Sequence, residues 1–221
     1  MSLCQLTFDG ESATDLVMED DCDKPSPPGT GRMTERQDMI LDAAFHAFAT
    51  YGYRRTTMDD IARGVGLSRS ALYLHYRSKE DVFRTLAERY FAQAIADMEA
   101  ALMAPGQSAE DALMAGFVAK DGKFMDVVLG TPHGSELMDA GISLTADLAE
   151  RAEAQKIAVL ARWLGSLPMA DGIGTPEAVA RTIISAAMGL KFPGQTLDGY
   201  RTGQRHLARL FARAVSRHQP G

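Results

Sequence analysis

The stretch of sequence that decides the fold runs from Thr57 to Tyr76 and reads TMDDIARGVGLSRSALYLHY. Its first half places apolar residues at i, i+3, i+4 and i+7, which predicts a single apolar stripe on a short helix. That stripe consists of Met58, Ile61, Ala62 and Val65. Gly66 then ends the helix, because glycine accepts the left-handed backbone that a sharp exit from a helix requires. A short helix followed by a tight turn is the prediction for this half.

The second half of the stretch predicts another helix, with two different faces. Ser68 offers its hydroxyl as the N-cap of this helix. Leu72 and Tyr76 lie four residues apart and share the face that packs. The opposite face carries a planar cation, a hydroxyl and a phenol, from Arg69, Ser70 and Tyr73. A helix that packs on one face and presents such groups on the other is what recognition in a DNA major groove requires.

The net charge of the chain hides a basic patch around this stretch. The 221 residues carry a formal charge of −6, but residues 1–31 contain seven acidic residues against one base, Lys24. The rest of the chain therefore sums to zero, and within it residues 54–79 hold six bases and two acids, a local charge of +4. A basic patch on a neutral body is the electrostatic signature of a DNA-binding module.

The sequence also argues against several classes of protein. The N-terminus shows no secretory signal, and no stretch approaches the ~20 apolar residues of a membrane span. Cys4 and Cys22 both lie in the acidic N-terminal stretch and do not make a disulfide scaffold. The sequence has no phosphate-binding loop, dinucleotide-binding glycine motif, metal-spaced Cys/His cluster or nucleophile–base pair. We therefore expect a cytoplasmic protein that is not an enzyme and has no cofactor, no metal and no membrane partner.

The remaining sequence predicts an acidic extension followed by an all-α fold of about nine helices. Residues 1–31 are acidic and without periodicity, so we expect them to be disordered. The first helix is predicted to begin at Thr34, which forms a capping box with Gln37. Asp121-Gly122 is expected to interrupt a helix, and Gly141 to kink the one that follows. After the two helices of the opening stretch, the predicted helices cover residues 78–104, 108–119, 124–129, 135–167, 175–191 and 198–217.

Residues 34–84 resemble the N-terminal domain of TetR-family transcriptional regulators. The matching motifs are Ala43-Ala44, Phe48, Tyr51-Gly52-Tyr53, Thr56-Thr57, Ile61-Ala62, Val65-Gly66-Leu67-Ser68, Leu72-Tyr73-x-His75-Tyr76 and Ser78-Lys79-Glu80. Tyr76 stands where the family more often has phenylalanine, a change that leaves packing intact. The resemblance covers about a quarter of the chain. It implies a three-helix helix-turn-helix DNA-binding domain over residues 32–78 and a helical ligand-binding and dimerisation domain over residues 79–221.

The DNA-binding residues expected from the residue types and the resemblance are Thr57, Ser68, Arg69, Ser70, Ala71, Tyr73, His75 and Lys79. Arg69 can pair bidentately with a guanine, which is worth ~1–3 kcal/mol of discrimination, and the alternative is a solvent-exposed arginine. Lys79 matches a phosphate contact of the family, reinforced by the helix N-terminus. Thr57 can donate to a phosphate or only cap its helix. His75 can contact a phosphate or be a surface histidine, and Arg54 and Arg55 can touch the DNA backbone or be solvated.

The resemblance further implies a ligand pocket among the middle helices, over residues 84–167. The candidate lining residues are Phe91, Met98, Phe117, Met125, Met138 and Trp163. Apolar residues at helical spacing more often belong to the core, and this alternative applies to each of the six. His133 can hydrogen-bond a ligand or be a turn residue. An apolar lining favours a largely apolar small-molecule effector.

The last two predicted helices, residues 175–191 and 198–217, suggest the interface of a homodimer. The first is apolar nearly all round, which is typical of a buried helix, and the resemblance implies paired helices in a four-helix bundle. We expect a dimeric repressor that reads a near-palindromic double-stranded operator and is released by an effector. The alternative is a helical small-molecule sensor that has kept the fold without reading DNA. The residues of the two apolar stripes are Ala178, Ala180, Ile183, Ile184, Ala187, Met188 and Leu190, then Leu207, Leu210, Phe211, Ala214 and Val215.

Overall fold

The computed structural model describes the chain over residues 30–191 and 196–215, with the backbone alone for residues 30–34, 122 and 123. These described residues are mostly helical and contain no β-strand. The helices are α1 (Thr30–Tyr51), α2 (Met58–Val65), α3 (Arg69–Tyr73), α4 (Lys79–Met103), α5 (Ala109–Gly130), α6 (Gly134–Gly165), α7 (Pro176–Gly189) and α8 (Leu197–Val215). A kink at Thr145 divides α6 into two helices. The described residues thus form nine helices, and the all-α prediction is confirmed.

The first helix begins earlier than the sequence pattern predicted. Thr34 lies inside α1, which begins at Thr30, so the predicted helix start at the Thr34 capping box is wrong. No proline occurs between Thr30 and Thr34 to stop the helix from extending in the N-terminal direction. The predicted disordered extension lies outside the described residues, except for Thr30 and Gly31, which belong to α1. Cys4 and Cys22 also lie outside the described residues.

The opening stretch folds as predicted at each of its boundaries. Thr57 caps α2 in a complete capping box with Asp60. Gly66 ends α2 with φ 72° and ψ 27°, the left-handed conformation that glycine adopts without a steric penalty. Ser68 caps α3, and its Oγ accepts a hydrogen bond from the backbone N–H of Ala71 at 3.2 Å. Local side-chain chemistry therefore fixes where the two short helices begin and end.

α5 is continuous where the sequence pattern predicted an interruption. Asp121 and Gly122 both lie inside it, and Asp121 is fully buried. A glycine inside a helix costs ~1 kcal/mol relative to alanine. Here tertiary contacts offset that cost, because the Asp121 carboxylate accepts hydrogen bonds from Tyr200 and Gln204 of α8. Contacts with a distant helix thus override a local breaking signal.

The kink in α6 falls four residues after the glycine that was expected to cause it. Thr145 has φ −134° and ψ 22°, outside the helical region, whereas Gly141 lies in the helix. The Thr145 hydroxyl donates to the Gly141 carbonyl at 2.6 Å. Back-bonding of a threonine to the preceding turn bends helices. The bend therefore follows from Thr145, with Gly141 supplying the acceptor.

Two apolar cores share α4, α5 and α6. The first joins α1, α2, α3 and the start of α4 to the second half of α5 and the start of α6, with Ile40, Phe48, Ile61, Leu72, Phe83, Met125 and Leu137 among its buried members. The second joins the other halves of these helices to α7 and α8, with Met98, Phe117, Leu160, Trp163, Ile183 and Ala208 among its members. The N-terminal helices consequently do not close a core of their own. The middle helices complete it.

The apolar residues of α7 and α8 mostly pack inside the subunit. Four of the seven predicted interface residues of α7 are buried against the second core, namely Ala180, Ile183, Ile184 and Ala187. Val215 of α8 is buried in the same way. The apolar character of α7 therefore reflects packing within the chain to a large extent. The large apolar side chains that remain exposed on these helices are Met188, 48% exposed, and Leu210, 64% exposed.

Candidate nucleic-acid interface

The outer face of α3 presents the polar groups that the sequence pattern placed there. Arg69, Ser70 and Tyr73 are exposed, whereas Leu72 is fully buried. α3 itself ends at Tyr73, shorter than the spacing of Leu72 and Tyr76 suggested. The Tyr76 N–H still donates to the Leu72 carbonyl at 3.1 Å, which keeps Tyr76 on the buried side. The division into a packing face and a polar face is present.

The Arg69 guanidinium is held in place in the free protein. It pairs with the Asp59 carboxylate at 3.0 Å and lies 5.5 Å from the centre of the Tyr73 ring. Both partners of the ion pair are largely exposed, so the pair is a weak one. A guanine can therefore replace Asp59 as the acceptor at small cost. The sequence analysis did not identify Asp59 as the partner, because the pair spans ten residues and joins two helices.

Thr57 and Ser68 are both engaged as helix caps. Asp60 N–H donates to the Thr57 hydroxyl oxygen at 3.2 Å, and the Thr57 hydroxyl donates to the Asp60 carboxylate at 2.7 Å. The hydrogen bonds from the Thr57 side chain and backbone, followed by the charge of Arg63, lower the pKa of Asp60 against the opposing effect of burial. The Ser68 hydroxyl lies 3.1 Å from that of Ser70. Capping accounts for Thr57 and Ser68, and a phosphate contact by either stays a prediction.

Lys79 has a structural partner that the sequence did not reveal. Its ammonium donates to the backbone carbonyls of Tyr53 at 2.8 Å and Arg54 at 3.2 Å, and it lies 4.5 Å from the Tyr53 ring centre. Lys79 thereby ties the start of α4 to the loop between α1 and α2. A lysine ammonium has three N–H donors. Two are used here, so one remains for a phosphate oxygen.

His75 faces a different environment from the other candidates. It lines an open concavity of about 420 Å³ between α1, α3 and α4. The charged residues of this concavity are Asp38, Asp81, Glu88 and Arg89. The Arg89 guanidinium is paired with Asp38 and Asp42. A surrounding with more carboxylates than cations does not favour a phosphate, so a phosphate contact by His75 has no support in this geometry.

Leu74 is a candidate that the sequence analysis missed. It follows directly after α3 and is 87% exposed. A leucine that gains nothing from the core is free to contact an apolar group outside the protein, such as a thymine methyl group in the major groove. In the sequence it reads as one more apolar residue of a helix face. Only the early end of α3 turns it outward.

Three arginines around α2 and α3 form no ion pair with any carboxylate in the part of the chain that the structure describes. Arg54, Arg55 and Arg77 are exposed, and none of the ion pairs within residues 30–191 and 196–215 includes them. Arg63 pairs with Asp60 at 3.2 Å. The +4 charge of this segment is therefore concentrated on side chains that are free to contact phosphates. Ala71, the remaining predicted contact, is half-buried and offers only its methyl group and backbone.

The predicted pocket residues do not gather in one place. Met98, Phe117 and Trp163 are buried in the second core, whereas Met125 is buried in the first core and Met138 packs against it. Phe91 is half-buried, and the Lys156 ammonium lies 5.5 Å from the centre of its ring. His133 lines a small concavity with Tyr51 and Arg55, near the helix-turn-helix. A ligand contact by any of these residues stays a prediction.

A family model described as bacterial regulatory proteins of the tetR family matches residues 40–86. The match covers most of α1, all of α2 and α3, and the start of α4. Residues 40–86 are therefore similar to the N-terminal part of tetR-family regulators. This confirms the resemblance found from the helix-turn-helix motifs. The matching family consists of regulatory proteins.

Curated relatives of this chain match mainly its N-terminal part. The biofilm operon icaADBC HTH-type negative transcriptional regulator IcaR of Staphylococcus epidermidis is 40% identical over 55 residues, which cover 25% of this chain and 30% of IcaR. The HTH-type transcriptional repressor ComR of Escherichia coli is 30% identical over 120 residues, 54% of this chain and 56% of ComR. The chain thus spans about a third of the length of IcaR and little more than half of the length of ComR.

The whole fold also has a counterpart among solved structures. SmeT, the repressor of the Stenotrophomonas maltophilia multidrug efflux pump SmeDEF, aligns with a TM-score of 0.59 and 17% identity over 83% of this chain and 91% of SmeT. A complex of SmeT with triclosan aligns equally well. At this identity the likeness shows the fold alone, an N-terminal helix-turn-helix followed by a helical C-terminal part. No helix of the described ranges is long and apolar enough to cross a membrane.

Proposed function

We propose that this chain is a TetR-family transcriptional repressor that binds double-stranded operator DNA through α3. The observation that carries this proposal is the outer face of α3, where Arg69, Ser70 and Tyr73 are exposed over a buried Leu72. A helix of this kind reads base edges in a major groove. Arg54, Arg55 and Arg77 would contact the phosphates on either side, and Arg69 with Tyr73 and Leu74 would choose the sequence.

The repressor acts as a homodimer in this proposal. α7 and α8 keep Met188, Leu210 and Ala214 exposed. On α7 the exposed Thr182 and Ser185 are small enough to allow close approach. Pairing these faces across a two-fold axis would make a four-helix bundle. The two α3 helices would then enter major grooves about 34 Å apart on a near-palindromic operator. Residues 32–78 form the reading domain and residues 79–221 the ligand-binding and dimerisation domain.

A small-molecule effector would release the repressor from DNA. SmeT, which shares the fold, has been solved with triclosan, and the two curated relatives are named as a negative regulator and a repressor. An effector that favours a dimer with wrongly spaced α3 helices must, by linkage, bind more weakly when DNA is bound. The C-terminal helices that would hold the effector also complete the core behind α2 and α3. This shared core is a physical route for the coupling.

The first test is binding to the DNA upstream of the gene that encodes this chain. Fluorescence anisotropy of the purified full chain should detect salt-sensitive binding to that fragment, and a competitor of unrelated sequence should bind more weakly. The matched control is the Arg69→Ala variant, which should lose the preference between the two fragments. Absence of salt-sensitive binding to that fragment and to the adjoining intergenic DNA would rule out the repressor and favour a sensor that does not read DNA.

A further inference from the structure

The C-terminal part contains a group of charges that the DNA-binding function does not use, with Lys120 and Asp121 buried, Lys156 half-buried and Lys191 at the surface. It consists of three lysines, Lys120 of α5, Lys156 of α6 and Lys191 just after α7, around the carboxylate of Asp121. We call this group the buried lysine cluster. On α5 it lies between Phe117 of the second core and Met125 of the first. The cluster thus forms a polar layer between the two apolar cores.

Asp121 is the fully satisfied centre of the cluster. Its carboxylate is not exposed and accepts from the ammonium groups of Lys120 at 2.7 Å and Lys191 at 2.9 Å. The Tyr200 hydroxyl and the Gln204 amide of α8 donate to the other oxygen, at 2.5 Å and 2.7 Å. Burial by itself would raise the pKa of Asp121, but the charges of Lys191 and Lys120 and these hydrogen bonds hold it well below its usual range. Asp121 is therefore ionised and has no acceptor capacity to spare.

The cluster has more cations than anions. Asp121 balances only one of the three ammonium groups. No ion pair of the described residues includes Lys156, which instead lies over the Phe91 ring at 5.5 Å. Glu153, one turn earlier on α6, forms no ion pair with Lys156 among the described residues, and Asp126 is occupied by Arg201 at 2.9 Å. A positive excess therefore remains at the polar layer.

This positive excess is unfavourable, because a charge that is partly removed from water loses solvation unless a partner compensates it. Burial, followed by the charge of Lys191, lowers the pKa of Lys156 to about 8. Burial likewise lowers the pKa of Lys120, although Asp121 opposes the effect. Strong perturbation of this kind, together with a specific arrangement of charges, is typical of a functional site.

We propose that the buried lysine cluster is a binding site for the carboxylate of an organic acid, whose apolar body packs beside Phe91 and Tyr90. Lys156 and Lys191 are the two donors closest to solvent, since Lys156 is half-buried and the Lys191 side chain is 27% exposed. In this proposal the carboxylate accepts from both, while Asp121 keeps its own four donors. Tyr90 and Phe91 of α4 contact one another, and Tyr90 also packs on Phe124 of α5, which gives the site an aromatic wall.

The cluster joins several helices of the C-terminal part. Lys120, Lys156 and Lys191 come from three different helices or their ends, and Tyr90 and Phe91 of the aromatic wall belong to α4, which begins at Lys79 directly after the helix-turn-helix. That the acid acts as the effector rests on the proposed function. That the acid binds rests on the cluster alone.

Isothermal titration of the purified full chain with matched acids and amides tests the site. Benzoate, phenylacetate and octanoate would each be compared with the corresponding neutral amide. We expect at least one acid to bind, with an affinity about tenfold or more above that of its amide. Equal affinities within all three pairs, or no binding by any acid, would overturn the proposal. If inorganic phosphate binds and the acids do not, the proposal that the ligand has an apolar body is wrong.

The Lys156→Met variant separates a ligand site from a purely structural cluster. Lys156 pairs with no carboxylate of the described residues, so its removal does not leave a buried carboxylate without a partner. The variant should therefore fold with an unchanged helical circular dichroism spectrum. Its affinity for the acid should fall about tenfold or more, and Lys191→Met should behave similarly. Arg205→Met, on the exposed face of α8, is the control and should bind normally. Unchanged affinity in Lys156→Met overturns the proposal.

Proton uptake gives a second readout that a structural role would not change. At about pH 8.5 an incoming carboxylate should raise the pKa of Lys156, so that binding takes up protons. Titrations in two buffers of different ionisation enthalpy would measure this uptake, which Lys156→Met should abolish. If the chain binds an acid but no DNA, the proposed acid site stands and the proposed repressor function is wrong. If it binds DNA but no acid, only the proposed acid site is wrong.

Discussion

The backbone N–H of Arg54 donates a hydrogen bond to the side chain of Glu136 at 2.5 Å, across 82 residues of sequence. The bond joins the start of α6 to the loop between α1 and α2. α6 then runs past the kink at Thr145 to Lys156, so one helical element contacts both the DNA-binding domain and the buried lysine cluster. When packed helices have two alternative arrangements, a small displacement at one end of a helix can switch the arrangement at the other end. Glu136 is therefore a polar contact, beside the shared apolar core, through which a change in α6 would reach the helix-turn-helix.

Replacing Glu136 should loosen this loop without unfolding the protein. In Glu136→Ala the Arg54 N–H loses a charged acceptor, which is worth about 1.5 kcal/mol. We expect hydrogen exchange at the Arg54 amide to become about tenfold faster. The control is Asp139→Ala, an exposed residue one turn further along α6. Exchange that stays at the wild-type rate in Glu136→Ala would show that the bond does not hold the loop.

Arg69→Ala should reduce discrimination between operator and unrelated DNA. Loss of a bidentate guanine contact costs ~1–3 kcal/mol on the preferred sequence and little on other DNA. Arg55→Ala, by contrast, should weaken binding to both and lower the salt slope by about one. Anisotropy titrations of the two variants at several salt concentrations would measure this. Parallel losses on both DNA fragments for Arg69→Ala would mean that Arg69 contacts only the backbone.

Lys79→Met should lower stability in the absence of DNA. The Lys79 ammonium is the donor to the carbonyls of Tyr53 and Arg54, and its loss should cost about 1–2 kcal/mol of the free energy of unfolding. Arg55→Met removes a nearby exposed cation with no ion pair in the described ranges and should leave stability unchanged. Urea denaturation followed by circular dichroism would compare them. If Lys79→Met is as stable as the wild type, Lys79 does not stabilise the fold, and a phosphate contact is the role that remains for it.

Leu74→Ser should weaken DNA binding while leaving the fold as stable as before. The side chain is 87% exposed, so its removal takes little apolar area out of the core. If it meets a thymine methyl group, we expect a loss of about 1 kcal/mol in binding to the operator. Leu72→Ser, at a fully buried position, is the contrast and should destabilise the domain strongly. Unaltered operator affinity in Leu74→Ser would remove Leu74 from the interface.

The local chemistry of the helix-turn-helix was predictable from the sequence, whereas the long-range polar contacts were not. Thr57, Gly66 and Ser68 act on atoms within a few residues, so their roles follow from type and spacing alone. Asp121 was predicted to be part of a helix break, because the partners that bury it come from the end of α7 and from α8. No sequence motif singled out Lys156. The sequence carries no signal for such pairs, since only the packing of α4 to α8 brings them together.

The lowered pKa of Lys156 predicts how stability depends on pH. The pKa is about 8 in the folded protein and 10.5 for an unperturbed lysine, so below about pH 8 both the folded and the unfolded chain hold the proton. Between these values the unfolded chain binds more protons, and the free energy of unfolding must rise with pH. The Lys156→Met variant lacks this contribution, although it keeps those of Lys120 and the buried tyrosines. We therefore expect the wild type to gain of order 1–3 kcal/mol relative to Lys156→Met as the pH rises from about 8 to about 10.5. Urea titrations of both proteins across this range would measure the difference. A constant difference would mean that Lys156 is as well solvated in the folded chain as in the unfolded one, and the cost ascribed to its burial would be wrong.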